Sequence, residues 1–395
     1  MSNSAEVIVV GGGVIGAAVT YYLAEAGVEV TLIERGDVAV GTSSACDGNV
    51  LAIDKMPGFD SQITLQSQRM LAELVDRLDC DLDYKQRGSV LVVEDEEQSL
   101  VARDWVAQQQ DAGLPMRYIA GEEVFENEPL LARDVVGLVE CASDSSLDPM
   151  ALVYGLVKGA KKRGATVRPF TEVRSVLRDP NGAVHGVVTS TGNMSSRYVV
   201  LAAGVWTPGI AETVGVTVPI SPRKGHILVA ERTPRNARRK LMEFGYLMAK
   251  FGGKEKRKVS PNMEKYGIAM VFEPTGHGNF LVGSSREFVG FDTRCNTEVL
   301  RLMARRALRF FPKIEDVNVI RSYAGLRPYT PDHLSIVSPV PAVPGLYIAA
   351  GHEGDGIGLA PITGKLIAEM IAGKSTSVPT APLRLDRFPA APNSR

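Results

Sequence analysis

Three glycines, Gly11, Gly13 and Gly16, followed by the acid Glu34, are the most chemically explicit set in this chain. Gly11 permits a tight turn out of a strand, and Gly13 lets backbone N–H groups come close to a pyrophosphate. Gly16 lets a helix pack against that strand, and the helix N-terminus favours the anion. Glu34 lies eighteen residues beyond Gly16, where a carboxylate reaches ribose hydroxyls. A second glycine-rich run, Gly351 to Gly358, comes more than three hundred residues later and ends in Leu359-Ala360-Pro361.

These residues must be held by elements whose signals surround them. A strand at Val7–Val10, a helix from Ala17 to Ala26 and a strand at Val28–Ile33 make a βαβ unit around the first glycines. Asp148-Pro149 then opens a helix over Met150–Arg163 with Leu152, Leu156, Val157 and Ala160 on one face. Strands follow at Thr166–Pro169, Ser175–Leu177 and His185–Thr189, with a buried one at Tyr198–Ala203. Leu346–Ala350 reads as another buried strand, and Pro361 sits near the start of a helix that Gly373 closes. Between these returns, strands at Ser89–Val93, Ile227–Val229, Ile268–Phe272 and Phe280–Gly283 join helices Gln98–Ala112 and Thr297–Phe310. The expected fold is α/β: a Rossmann-like nucleotide domain (1–79, 146–215 and 326–395) with an α+β domain carrying an antiparallel sheet (80–145 and 216–325).

Composition narrows the partners. The 395 residues are 45% hydrophobic and 23% charged with a net charge of −1, so nothing draws the chain to nucleic acid or an anionic membrane. No apolar run is long enough for a transmembrane segment, and the first strand begins too early for a cleavable leader, which points to the cytoplasm. Cys46, Cys80, Cys141 and Cys295 are far apart, and the five histidines are scattered, so no metal site is expected.

A nicotinamide cofactor would occupy one contiguous unit and leave the second glycine run unexplained. A flavin dinucleotide uses both, with ADP on the first unit and the isoalloxazine held elsewhere. A helix N-terminus near Gly358 to Pro361 would stabilise charge at the N1/O2 edge of a reduced ring. The other reading of this run is a turn between a core strand and a helix.

Seven segments together carry a family resemblance: Val9 to Gly16, Gly41 to Ala45, Asp148-Pro149, Leu201 to Trp206, Ser284 to Asp292, Ala324 to Pro328 and Gly351 to Pro361. In this order they resemble FAD-dependent amino-acid and amine oxidoreductases of the D-amino-acid oxidase, glycine oxidase and sarcosine oxidase group. The Gly354 to Pro361 stretch is most similar to flavoprotein subunits of opine oxidases, D-hydroxyproline and dye-linked proline dehydrogenases, and hydrogen cyanide synthase. The resemblance implies bound FAD, with Gly11, Gly13, Gly16 and Glu34 at the ADP. It places Thr42, Ser43 and Ser44 near the pyrophosphate and flavin, and the Val173 backbone at adenine. Ala203, Gly204 and Trp206 would pack near the ribityl–ADP region, with Gly351, His352, Gly356, Ile357 and Gly358 around the isoalloxazine.

The resemblance also makes Arg327 the clamp for a substrate carboxylate, because a fork of N–H donors fits a carboxylate bidentately. Tyr329 and Tyr323 are either second contacts or core residues. Glycine-oxidase-like enzymes carry Phe-Arg-Asn where this chain has Glu353, Gly354 and Asp355. Glu353 therefore either pairs with a cationic group or a partner chain, or is a solvated loop acid. Covalent flavin attachment through Cys46 is not expected. The basic run Lys250 to Lys258 reads as a solvated loop, or one that covers the site or docks an acidic partner. The implied reaction is oxidation of the C–N bond of an N-substituted amino acid, imino acid or opine. Rival readings are a stand-alone glycine, sarcosine or D-amino-acid oxidase, an electron-transfer subunit, and a 2-hydroxy-acid dehydrogenase using His352 or His226 as base. With no cysteine cluster to take electrons, a partner subunit carrying another redox centre is expected.

Overall fold

The computed structural model of the protein describes residues 3–251 and 257–389. Its first sheet runs Ile336–Pro339, Leu346–Ala350, Gly192–Leu201, Ser4–Val10, Val30–Ile33, Thr166–Arg168, with Val184–Thr189 and Val173–Arg178 attached to Gly192–Leu201 as an antiparallel flange. The inner pairings are parallel, so the strands need covered crossovers and are apolar on both faces. Val7, Ile8 and Val9 are accordingly buried without residual exposure.

The Val14–Glu25 helix follows directly on Gly13 and packs against the helices Pro149–Lys162 and Gly356–Ile371. Surrounded by neighbours, it carries no charged side chain before Glu25. A Cβ at Gly364 would lie 2.6 Å from the Ala18 carbonyl oxygen, so glycine sets the distance between two helices that both point at the site.

The last helix differs from expectation. It begins at Gly356, and Pro361 lies inside it rather than near its start. Proline there removes one N–H from the helical ladder. Ser67, on the Phe59–Arg77 helix, repairs the neighbouring turn: its hydroxyl donates to the Gly358 carbonyl at 2.6 Å and lies 3.4 Å from the Ile362 N–H. A hydroxyl inserted between residues i and i−4 lets the helix extend back through the proline.

The second sheet is ordered Val319–Tyr329, Ser221–Ala230, Phe280–Gly283, Val271–Pro274, Lys240–Glu243, Ser89–Val93, Gly137–Cys141, Met116–Ala120. All its pairings are antiparallel except Lys240–Glu243 with Ser89–Val93, the seam where the two inserted segments meet. The Thr297–Phe310 helix packs Val299, Leu302, Met303 and Phe310 onto Leu228, Phe272 and Phe280. The division expected after residue 325 falls within the Val319–Tyr329 strand. No helix among the described residues is long and apolar enough to cross a membrane.

Candidate active site

A cavity of about 900 Å³ opens between the two sheets, at the upper end of ligand-sized cavities. Both helix N-termini reach it, through Gly13 and Val14 on one side and Gly356 and Ile357 on the other. Gly11 has φ +112°, and a Cβ there would meet the Ala202 carbonyl oxygen at 2.6 Å. No other residue fits that crossing of strand ends. The Ser43 hydroxyl accepts from the Val14 N–H at 3.0 Å, fixing the Thr42–Ser44 turn over the first helix.

Glu34 is held at the cavity wall by the N–H groups of Gly12 (2.7 Å) and Gly36 (2.8 Å), one on each carboxylate oxygen. Each oxygen keeps acceptor capacity toward the cavity. Val173, Ala203, Gly204 and Trp206 also line it, and Arg35 lies over the Trp206 ring at 4.0 Å. At the other end stand Thr42, Gly351, His352, Glu353 and Arg327.

Five residues raised as site candidates do not line this cavity. Gly16 serves packing alone, since a Cβ would collide with the Gly11 carbonyl. Ser44 faces a smaller adjoining cavity of about 290 Å³. Gly358 is turned into the helix contact with Ser67. Tyr329 packs its ring on His333 at 5.3 Å and beneath the Arg223 guanidinium at 4.7 Å. Tyr323 donates its hydroxyl to the Cys46 carbonyl at 3.3 Å, anchoring the segment that lines the cavity.

The paired strands Ser221–Ala230 and Val319–Tyr329 form the opposite wall of the cavity. Gly225 and Gly325 are register partners and clear it. A Cβ at Gly325 would strike the Ala45 carbonyl, and one at Gly225 would strike the Arg327 guanidinium. Thr42 donates to the Leu326 carbonyl at 2.7 Å, tying the two layers together beside Arg327. Arg327 itself donates to the Ser285 carbonyl at 2.9 Å.

Glu353 is not a solvated loop acid. It is buried, has φ +48°, and pairs with Arg223 and with His333 Nδ1 at 2.9 Å. Asp355, just before the last helix, is bound by Lys55 at 2.7 Å and Lys250 at 3.3 Å, and Asp54 closes the cluster. Both lysines are buried. Their charges cancel the acid that would otherwise oppose the helix's positive end. Lys250 and Arg257, which pairs with Glu243, are thus interior residues rather than members of a solvated strip. Gly252 to Lys256 of that run lie outside the described residues.

His226 faces away from the cavity. Its Nε2 accepts from the Asn296 N–H at 3.1 Å, its Nδ1 lies 2.8 Å from Ser285 Oγ, and burial pushes its pKa down to about 4. It has no free nitrogen to serve as a base. His352 is buried with Nε2 2.9 Å from Thr363 Oγ1, and burial lowers its pKa to about 4 as well. Its Nδ1 lacks a partner, as does Ser284 Oγ, another residue of the wall. The Cys46 thiol lines the cavity too, and burial pushes its pKa up, away from the reactive thiolate. Among the described residues no group of His, Cys, Asp or Glu is arranged to hold a metal.

The sequence matches the profile of the FAD-dependent oxidoreductase (DAO) family over residues 6–370. The chain belongs to that family. Glycine oxidase of Geobacillus kaustophilus is 28% identical over 395 residues, covering 98% of both chains. Its crystal structure superposes with a TM-score of 0.87 at 26% identity, covering 98% of this chain and 100% of that one. Hydrogen cyanide synthase subunit HcnC of Pseudomonas aeruginosa is 27% identical over 434 residues, with 99% of this chain and 98% of that protein covered. L-proline dehydrogenase from P. horikoshii shares the fold, with a TM-score of 0.86 at 24% identity and 98% of each chain covered.

As a family member, the protein is an FAD-dependent oxidoreductase, and its cavity fits FAD. It has two helix N-termini for the phosphates and ring, a placed acid for ribose, a glycine that no Cβ can replace and an orphaned His352 nitrogen on the wall. Arg223 and Lys55 escaped the sequence reading, and Lys250 was read only as part of a basic run. Only the register that sets Arg223 opposite Arg327 reveals the first, and only tertiary packing brings the lysines to Asp355.

Proposed function

We propose that the protein oxidises the C–N bond of an N-substituted amino acid, a CH–NH donor. The observation that carries this is Arg327, reaching into the cavity from a sheet that faces the flavin-binding elements. In this reading Arg327 holds the substrate carboxylate, and that contact orients the α-carbon. FAD bound in this cavity would supply the two-electron acceptor for the α-hydrogen, which leaves with its electron pair as hydride. The amine nitrogen must be neutral so that its lone pair can form the C=N bond as the C–H bond breaks. The positive charge of Arg327 on the cavity wall favours that neutral form. The nitrogen's proton leaves to solvent, and water converts the imine to a 2-oxo acid and an amine.

No side chain has to act as a dedicated base, which fits a wall where burial makes His352 a weak base and His226 is committed elsewhere. Oxidation of a 2-hydroxy acid needs a base for the hydroxyl proton; His226 is committed, and burial with a pKa of about 4 leaves His352 only a weak one.

We also propose a hetero-oligomer working in the cytoplasm, in which a partner subunit would take the electrons. The likeness to a protein named as a synthase subunit supports this. So do the exposed Phe288, Val289 and Phe291, whose loop abuts Tyr329 and Trp206. The test supplies a dye acceptor and sarcosine or proline and quantifies product. The expected result is 2-oxo acid or imine in proportion to dye reduced. Turnover of lactate with none of secondary amines would overturn the reaction. Full activity as a lone chain with stoichiometric peroxide would overturn the partner.

A further inference from the structure

The helix Gly356–Ile371 opens on the cavity beside His352, and its N-cap is an acid, Asp355. Aspartate at an N-cap ordinarily turns its carboxylate onto the N–H of the second or third helical residue, here Ile357 or Gly358. Asp355 makes no such bond, and its backbone, at φ −105° and ψ 0°, is outside the extended form that capping uses. Only its carbonyl serves the helix, accepting from the Leu359 N–H at 3.0 Å. The N–H groups of Gly356, Ile357 and Gly358 therefore lack an intrahelical acceptor, and two of these residues line the cavity. A second polar group stands unserved at this end: His352 is buried on the same wall with its Nδ1 unpartnered. Both observations point to a ligand there.

What keeps Asp355 from its own helix is a pair of lysines from distant parts of the chain. Lys55 Nζ lies 2.7 Å from its Oδ1, and Lys250 Nζ, on the Gly245–Phe251 helix, lies 3.3 Å from its Oδ2, so each carboxylate oxygen is engaged. Asp54 fixes the two lysines from the other side, at 2.6 Å and 3.0 Å. Both lysines are buried, and neither they nor Asp355 line the cavity. The cluster therefore acts on a ligand only through the helix end.

We propose that Lys55 and Lys250 are positioning residues that hold Asp355 off the first turn of this helix and so reserve its N–H groups for the negative charge that reduction places on bound FAD. A released Asp355 would compete for the same donors and set its own charge against that of the cofactor. This concerns the cofactor rather than the donor, and stands whichever amine is oxidised.

The test reads the midpoint potential of the FAD-loaded protein by equilibration with a reference dye, with the affinity for oxidised FAD measured beside it. It is run well above the pKa of the Asp60 carboxyl, which faces Lys55 and which burial lifts to about 6. Lys250→Met frees one carboxylate oxygen and should weaken binding of the reduced form roughly 5- to 10-fold relative to the oxidised, a fall of ~20–30 mV in the two-electron potential. Lys250→Arg keeps a cation in place and should stay close to wild type. Two double variants separate capping from charge alone. Lys250→Met with Asp355→Ala leaves no side chain to compete, and the potential should return to the wild-type value. Lys250→Met with Asp355→Asn has the same charge, but asparagine caps as well as aspartate, so recovery should be only partial. An unchanged potential in Lys250→Met, or recovery with asparagine as complete as with alanine, would overturn the proposal. Should Lys250→Met not fold or not hold FAD, Lys55→Met with the same two partners decides.

Discussion

At the residue scale, the account turns on Arg327. Replacing it by alanine removes the charged fork while leaving the helix N-termini, Gly11 and Glu34 in place. kcat/KM for carboxylate substrates should fall by ~100-fold or more with FAD retained, since a charged hydrogen-bonded contact is worth a few kcal/mol. Arg327→Lys should recover only part, as a point charge lacks the fork. Steady-state kinetics beside the bound-FAD absorbance check this. An alanine variant within a few-fold of wild type would remove Arg327 from the site. Its position was legible in the run Gly325-Leu326-Arg327-Pro328, but its company was not. Arg223 carries no local signal, because its meaning comes from a strand pairing about a hundred residues away in the chain. Glu353 was legible as a departure from the family pattern, while its burial against Arg223 and His333 required the fold.

At the element scale, the βαβ unit and the strands Ser89–Val93, Phe280–Gly283 and Leu346–Ala350 follow directly from apolar runs and glycine turns. The helix beginning at Gly356 does not, because proline is read locally as a start signal. A distant serine reverses that reading. Ser67→Ala should leave the Gly358 carbonyl and the Ile362 N–H underserved in a buried place. Stability should drop by ~1–3 kcal/mol. FAD should bind more weakly too, since Gly356 and Ile357 sit at that helix's first turn. Urea unfolding of the apoprotein and FAD titration measure the two effects separately. Unchanged stability would mean that the serine does not support the turn.

At the scale of the whole molecule, two buried histidines link stability to acid. His226 and His352 have pKa values lowered from 6.5 to about 4 by burial. Between these values the unfolded chain binds protons that the folded chain refuses. Stability is therefore present above pH 6.5 and declines as pH falls toward 4, by up to ~1.4 kcal/mol per pH unit for each histidine. Glu243, held below its usual range against burial by Arg306 and Arg257, adds its loss only below the ordinary carboxylate range. Denaturant midpoints measured across this window should shift steadily, and His226→Asn should flatten the trend. A midpoint that stays level from pH 6.5 to 4 would contradict the burial of both rings as neutral groups.

The two layers converge on one cavity, with the two helix N-termini on one wall and Arg327 on the other. The claim that this cavity oxidises a C–N bond is tested most directly by mixing the FAD-loaded protein anaerobically with sarcosine, proline, iminodiacetate, lactate and malate while following the flavin's visible absorbance. The amines should bleach it within a turnover, and the hydroxy acids should leave it yellow. Bleaching by lactate or malate, with every amine inert, would contradict the account.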